Sequence, residues 1–149
     1  MREKLVLIPP PVYALALLAV AQALTAWLPV PVDLTADWLG ALLAGCGVGL
    51  MIWAWLSFRR WGTTPMPAGT PSALVLTGPY RWTRNPMYLG ILLVLSGLVP
   101  ILGSPWFILA PVSFWQIVNR LFIPYEEAKL TELFGRDFQA FTVTVRRWL

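Results

Sequence analysis

Histidine is absent from this chain of 149 residues, and Cys46 is its only cysteine. A Cys/His zinc site, a Ser–His–Asp triad and a Cys–His dyad each need residues that the chain lacks. A single cysteine also excludes a disulfide within the chain. The sequence therefore excludes the commonest zinc-dependent and hydrolytic sites, and we predict no metal centre.

Charge is also scarce. Only 12% of the residues are charged and 58% are hydrophobic, whereas soluble domains average about 25% and 45–50%. The stretch 5–58 carries only Asp33 and Asp37, and the stretch 86–119 carries no charge. A soluble fold of this size could not cover its surface with so few charges. The sequence therefore predicts an integral membrane protein, with residues 1–149 forming a single domain.

Four apolar segments approach the roughly 20 residues that a transmembrane helix needs. They cover about residues 11–30, 38–58, 86–103 and 106–123. The last two segments are short, and only Gly103-Ser104-Pro105 joins them, so we predict that they form a tight helical hairpin. The predicted fold class is an all-α membrane protein of about four transmembrane helices.

The sequence changes character from Glu126 onward. Apolar residues recur there at helical spacing with charges between them, a pattern typical of an amphipathic helix that lies on the bilayer surface or on the bundle. Gly135 is a candidate break in this helix. We therefore predict a C-terminal amphipathic cytoplasmic helix and not a fifth span. The apolar residues are Leu130, Leu133, Phe134, Phe138, Phe141 and Val145.

The basic residues sort to one side of a four-span arrangement. All 11 lysines and arginines fall at the N-terminus, in the 59–85 loop, at the end of the fourth span or in the C-terminal tail. The positive-inside rule then places both termini and that loop in the cytoplasm. Because the basic residues flank apolar runs, membrane orientation explains them better than binding of nucleic acid. An N-terminal secretory signal ending at Ala21-Gln22-Ala23 is an alternative interpretation of the first segment.

Small residues in the second span indicate a close helix contact. Gly45 and Gly49 lie four residues apart, a spacing that lets helix backbones approach. We favour packing within one chain, and the alternative is a homodimer formed through the Gly45/Gly49 face.

The stretch 76–90 holds many of the unusual polar residues. Asn85-Pro86 is a good helix start, with Asn as the cap and Pro in the first turn. Such a helix start favours an anion, and Arg81 and Arg84 add two guanidiniums. An anionic group attached to something flat or cationic would suit the stretch, and an interfacial anchor at headgroup level is the alternative. The aromatic residues are Tyr80, Trp82 and Tyr88.

A second polar stretch follows the fourth span. Gln116, Asn119 and Arg120 share one helical face, and polar residues at membrane depth usually face the protein interior or a wet cavity. Glu126 and Glu127 need a cation, because anionic lipid would repel them at a membrane surface. An arginine or a cationic ligand would serve.

These stretches contain three motifs: Thr77-Gly78-Pro79-Tyr80, Arg84-Asn85-Pro86-Met87-Tyr88-Leu89-Gly90, and Glu126-Glu127-x-x-Leu130-x-x-x-Phe134-Gly135-x-x-Phe138-x-x-Phe141. Their order and spacing resemble the isoprenylcysteine carboxyl methyltransferase family, which is itself similar to the phospholipid N-methyltransferases. Both are families of membrane enzymes that use S-adenosylmethionine. The resemblance covers about residues 74–148, and it implies that this half of the chain binds the cofactor.

The resemblance implies a cofactor pocket at the cytoplasmic face. The cofactor's carboxylate suits the helix start and the arginines, its ammonium suits a glutamate, and its adenine and sulfonium suit aromatic faces. Gly90 would let the ligand approach the third helix closely. The family usually has histidine at position 85 and tyrosines at 138 and 141, which here are Asn85, Phe138 and Phe141. The implied pocket residues are Tyr80, Arg84, Asn85, Pro86, Tyr88, Gly90, Glu126 and Glu127.

The leading hypothesis is a membrane methyltransferase that acts on a lipophilic acceptor entering from the bilayer. The acceptor group is a carboxylate, an amine or a thiol. Arg120 would hold an acceptor carboxylate or phosphate, and Glu127 would be the base for an amine. A non-catalytic lipid-binding or assembly protein on the same scaffold is the alternative. A sterol-reductase-like enzyme is a third interpretation, but its nicotinamide cofactor would need more cytoplasmic chain.

Overall fold

A computed structural model describes residues 5–63 and 71–149. Arg2, Lys4 and positions 64–70 of the predicted cytoplasmic loop therefore lie outside the described residues. Helices dominate both ranges, which contain no strand, and the all-α prediction is confirmed. The helices are α1 (Pro10–Trp27), α2 (Asp37–Arg60), α3 (Pro86–Leu102), α4 (Leu109–Ile117) and α5 (Ile123–Thr144), with single 3₁₀ turns at Gly78–Arg81 and Pro105–Ile108.

Three helical stretches in the described ranges are long and apolar enough to cross a membrane. They are α1, α2 and the continuous stretch Pro105–Thr144 that contains α4 and α5. The apolar helix α3 has 17 residues, a length of about 26 Å at 1.5 Å per residue. That length is at the lower limit for a span. The membrane character of the fold is therefore supported, although α3 is shorter than the other three.

The helix that contains the fourth predicted span continues beyond residue 123. Helical structure continues through a π-helical turn at Val118–Phe122 into α5, which bends at Gly135 (φ 48°, ψ −115°). Pro124 explains the π turn, because proline has no N–H to donate and its ring clashes with the carbonyl four residues earlier. The segment predicted as an amphipathic helix therefore follows the fourth apolar segment without an intervening loop, and the predicted break at Gly135 is confirmed.

Two pairs of glycines bring α2 and α3 into backbone contact. A Cβ on Gly47 would lie 2.5 Å from the carbonyl oxygen of Gly90, and a Cβ on Gly97 would lie 2.5 Å from that of Gly40. In each helix the two glycines are seven residues apart, so both pairs fall on one face of each antiparallel helix. Only glycine permits this approach, which is how small residues bring membrane helices together.

The predicted packing role of Gly45 and Gly49 within the chain is wrong. No atom lies within 4 Å of a Cβ built on either residue. The contact with α3 uses Gly40 and Gly47 instead, because these lie on the face of α2 that is turned towards α3. The Gly45/Gly49 face points away from the other described helices.

The helix ends opposite the basic residues are joined by hydrogen bonds. Leu34 N donates to the carbonyl oxygen of Gly103 at 2.9 Å, and Thr25 Oγ1 donates to Ser104 Oγ at 2.9 Å. Trp106 Nε1 donates to the carbonyl oxygen of Leu28 at 2.7 Å. These bonds hold the turn between α3 and the Pro105–Ile108 segment against the end of α1 and the start of α2. The first turn of α3, the last turn of α2 and the start of α5 consequently meet at the other end, which we call the basic end.

The contact between α2 and α3 can be tested with two alanine substitutions on the same helix. Gly47→Ala places a methyl group against the Gly90 backbone, and we expect it to destabilise the fold by about 1–3 kcal/mol, the usual cost of overpacking. Gly45→Ala meets open space and should be neutral or slightly stabilising. Thermal unfolding in detergent, followed by circular dichroism, measures the difference. Equal effects of the two substitutions would contradict the packing described here.

Candidate functional site

A cavity of about 330 Å³ lies at the basic end, between the start of α1, the end of α2, the first turn of α3 and α5. One part of its wall is apolar and the other carries charged and phenolic groups. Proline and aliphatic or aromatic side chains from five separate segments form the apolar part. They include Pro9, Pro10, Pro11, Met51, Phe58, Leu74, Val75, Ile91, Leu130, Phe138 and Phe141.

The polar part of the wall contains most of the residues that the resemblance implied. Although the motifs at 80–88 and 126–127 are far apart in sequence, they meet because α3 and α5 both begin at the basic end. Gly90 and Arg120 are the two predicted site residues that do not line the cavity. The predicted residues that do line it are Tyr80, Arg84, Asn85, Pro86, Tyr88, Glu126 and Glu127.

The adjacent carboxylates have different partners. Glu126 Oε1 accepts a hydrogen bond from the phenol of Tyr88 at 2.5 Å, and no ion pair to Glu126 occurs within residues 5–63 and 71–149. Glu127 instead lies between two guanidiniums. Arg84 Nη1 is 3.1 Å from Glu127 Oε1, and Arg147 Nη2 is 2.6 Å from Oε2. The negative charge that faces the cavity without a cation is therefore that of Glu126.

Arg147 contacts Glu127 in the bidentate geometry that favours arginine over lysine. Its Nε donates to Oε1 at 3.2 Å while its Nη2 donates to Oε2. Arg147 Nη1 also reaches Asn119 Oδ1 at 3.4 Å. One guanidinium therefore connects the C-terminal tail to α5 and to the π-helical turn.

The sequence predicted that the Asn85 side chain caps α3, but it does not. Its side-chain amide donates to the carbonyl oxygen of Arg147 at 2.9 Å, and no side-chain cap is formed at the helix start. Thr83 Oγ1 donates to the same carbonyl at 3.1 Å, and the backbone N–H of Arg84 donates to the carbonyl of Arg146 at 3.0 Å. The tail takes up these donors because it folds back over residues 83–85.

The two arginines of the stretch 76–90 have different environments. Arg84 has a side-chain exposure of 15%, and its Nε is a buried donor without an acceptor in the described structure. Arg81 is exposed and does not line the cavity. Arg84 alone therefore supplies the cavity with a guanidinium donor that is free to bind an anion.

The phenol of Tyr80 is buried beside the aromatic ring of Phe58, with 5.3 Å between ring centroids. Burial raises the pKa of the Tyr80 phenol well above its usual range, and the negative charge of Glu126 raises that pKa further. The phenol therefore stays protonated at every physiological pH. It can donate a hydrogen bond into the cavity.

Gly90 and Arg120 lie outside the cavity wall. Gly90 lies on the α2 side of α3, where a Cβ would meet Met51 Cγ at 2.5 Å, so it permits helix packing and not ligand approach. Arg120 is an exposed residue of the π-helical turn. The extra residue in that turn changes which face of the helix presents the side chains that follow the span.

Sequence reasoning missed Arg147 as a residue of the site. Arg146 and Arg147 are indistinguishable from topology-determining arginines in sequence, because nothing local shows that the tail folds back. Trp148 is the one available signal, since a tryptophan buries a large apolar surface when it packs. It packs against the buried cluster that contains Phe122 and Tyr88.

Comparisons with known proteins agree with the motifs. The sequence model of the phospholipid methyltransferase (PEMT) family matches residues 35–137. The chain is also 35% identical over 79 residues to proteins from Oryza sativa subsp. indica and Oryza sativa subsp. japonica, each named probable protein-S-isoprenylcysteine O-methyltransferase. That match covers 51% of this chain and only 40% of each rice protein. No solved structure matches the chain.

The hydrogen bond between Tyr88 and Glu126 can be tested by removing the phenol oxygen. Tyr88→Phe deletes the donor and leaves a partly buried carboxylate oxygen unpaired, so we expect a loss of about 1–3 kcal/mol in unfolding free energy. Tyr125→Phe is the matched control, because Tyr125 is next to Glu126 in sequence and its hydroxyl makes no hydrogen bond in the described structure. Chemical unfolding in detergent measures both variants, and equal stabilities would contradict the assigned bond.

Proposed function

This chain belongs to the phospholipid methyltransferase family, and from that premise we propose that it is an integral membrane methyltransferase. It uses S-adenosylmethionine and methylates a lipophilic acceptor. The observation that carries this proposal is that residues of the stretches 80–88 and 126–127 line one cavity, which has a charged wall and an apolar wall. An enzyme that joins a polar cofactor to a lipophilic acceptor needs both kinds of wall.

The charged wall fits the cofactor's functional groups. Arg84 Nε is a buried donor that lacks an acceptor, and a carboxylate would supply one. Glu126 faces the cavity with a phenol as its hydrogen-bond donor and without a cation, so it would stabilise an ammonium or a sulfonium. The cavity volume of about 330 Å³ lies within the range of small-molecule sites, roughly 300–1,000 Å³.

The protein's own residues bind and orient the reactants. When bound, S-adenosylmethionine supplies an electrophilic methyl group on a sulfonium, so alignment of the acceptor with that methyl contributes most of the catalysis. The phenols of Tyr80 and Tyr88 and the carboxylate of Glu126 fix the position of the polar ligand. The apolar wall excludes water and holds the acceptor's hydrocarbon part.

The acceptor group decides whether a base is needed. A carboxylate or a thiolate attacks without losing a proton, whereas an amine must be deprotonated. We place that role on Glu126 and not on Glu127, because both carboxylate oxygens of Glu127 are engaged by Arg84 and Arg147, whereas Glu126 has no ion pair in the described ranges. Arg120, which is exposed and outside the cavity wall, would act only on an acceptor group that remains at the membrane surface.

The basic end is proposed to face the cytoplasm. The arginines at the end of α2, in the stretch 76–90 and in the tail lie at this end, and the positive-inside rule assigns such an end to the cytoplasmic side. The cofactor would then enter from the cytoplasm, and the acceptor would enter from the bilayer.

The assignment of Glu126 to the cofactor can be tested by an isosteric change. Glu126→Gln removes the charge and keeps the shape, and we expect affinity for S-adenosylmethionine to fall roughly ten- to hundredfold, as for loss of a charge-assisted hydrogen bond. Glu132→Gln is the matched control, because Glu132 is an exposed residue of the same helix. Isothermal titration calorimetry on the purified protein measures both. Unchanged affinity in Glu126→Gln would contradict the assignment.

The activity itself can be tested with methyl-labelled S-adenosylmethionine and a total lipid extract. We expect label to enter the organic phase, and the chemistry of the labelled product identifies the acceptor group. Absence of both transfer and cofactor binding would instead support a non-catalytic lipid-binding or assembly protein. Binding without transfer to lipid would direct the search to lipophilic acceptors that the extract lacks.

A further inference from the structure

The C-terminal tail, residues 145–149, brings a guanidinium into the charged wall of the cavity. Arg147 forms a bidentate pair with Glu127, and Val145 and Trp148 pack against different buried clusters. The carbonyl oxygens of Arg146 and Arg147 accept hydrogen bonds from residues 83–85. The tail is therefore held at both its side chains and its backbone, which fixes where the Arg147 guanidinium lies.

The charge balance around Glu127 shows what this guanidinium does. Arg147 engages both carboxylate oxygens of Glu127, whereas Arg84 contacts only Oε1 through Nη1. One carboxylate is thus shared by two cations, so the cluster of Arg84, Glu127 and Arg147 carries a net positive charge. The Nε of Arg84 is left without an acceptor. The excess positive charge and the free donor belong to the same residue, Arg84.

From this geometry we infer that Arg147 is a positioning residue: it neutralises Glu127 so that Arg84 is available to bind an anionic group of the ligand. The inference rests on the proposed function and specifies it, because it assigns the cofactor's carboxylate to Arg84 and its ammonium to Glu126. Without Arg147, Glu127 would take the whole charge of Arg84, and Arg84 would lose its attraction for a carboxylate. The other groups in the cavity wall would be unaffected.

Two ligands that differ only in the carboxylate can separate this role from a general structural one. S-adenosylhomocysteine carries both an ammonium and a carboxylate, and its decarboxylated analogue keeps the ammonium and the nucleoside. We expect Arg147→Gln in the full chain to lower the affinity for S-adenosylhomocysteine by roughly ten- to hundredfold, the effect of losing a hydrogen-bonded charge. The affinity for the decarboxylated analogue should stay the same or rise. Isothermal titration calorimetry measures all of these affinities.

Two further variants provide the controls. Arg146→Gln removes a neighbouring positive charge from the same tail, but the Arg146 side chain is exposed, so both affinities should remain those of the wild type. Arg147→Lys keeps the charge without the bidentate geometry and should restore part of the affinity for S-adenosylhomocysteine.

The outcomes distinguish this inference from the proposed function. Equal losses for the two ligands in Arg147→Gln, or equal losses in Arg146→Gln and Arg147→Gln, would overturn the positioning role and leave the cofactor assignment intact. If the wild-type protein binds neither ligand, the proposed function fails, and the inference fails with it.

Discussion

The position of the Glu127 carboxylate between two guanidiniums is the interaction on which the site depends. Its two partners come from different parts of the chain: Arg84 from the segment before α3, and Arg147 from the tail after α5. A partly buried carboxylate is costly unless it is paired and hydrogen-bonded, and breaking such a pair leaves an uncompensated charge. The pairing therefore fixes where α5 and the tail lie relative to the start of α3. Glu126 is held in the cavity wall because it is next to Glu127 at the start of α5.

The glycine contact between α2 and α3 also stabilises this arrangement, on the face of α3 that is turned towards α2. Gly47 and Gly90 let the two backbones touch in the second turn of α3. Met51 and Phe58, further along α2, can then reach the cavity wall. The contact stabilises the position of residues 84–90 without contributing a chemical group to the cavity. This is a structural role for Gly90, whose place in the motif suggested a role in binding.

Much of the site could be predicted from the sequence because its residue types are unusual for a membrane protein. Paired carboxylates beside a bilayer need cations, and a motif with arginine, phenols and a helix-starting proline favours a charged ligand. These arguments identified Tyr80, Arg84, Tyr88, Glu126 and Glu127, all of which line the cavity. They did not anticipate that Arg120 lies outside the cavity wall, because a helical-face argument assumes regular α-helix and Arg120 lies in a π-helical turn. They also failed for Asn85, because the tail takes its side-chain donor.

The sequence by itself determined that this is an all-helical membrane protein, where its helices begin, and which motifs supply the polar wall of the cavity. Hydrophobic length, proline positions and the scarcity of charge are local properties, and they do not depend on distant contacts. Only the tertiary structure decided which glycines pack, which of two adjacent glutamates faces the cavity without a cation, and that Arg147 belongs to the site. These features arise from contacts between segments far apart in the chain, where the direction of a side chain depends on packing and on backbone irregularities that spacing alone does not reveal.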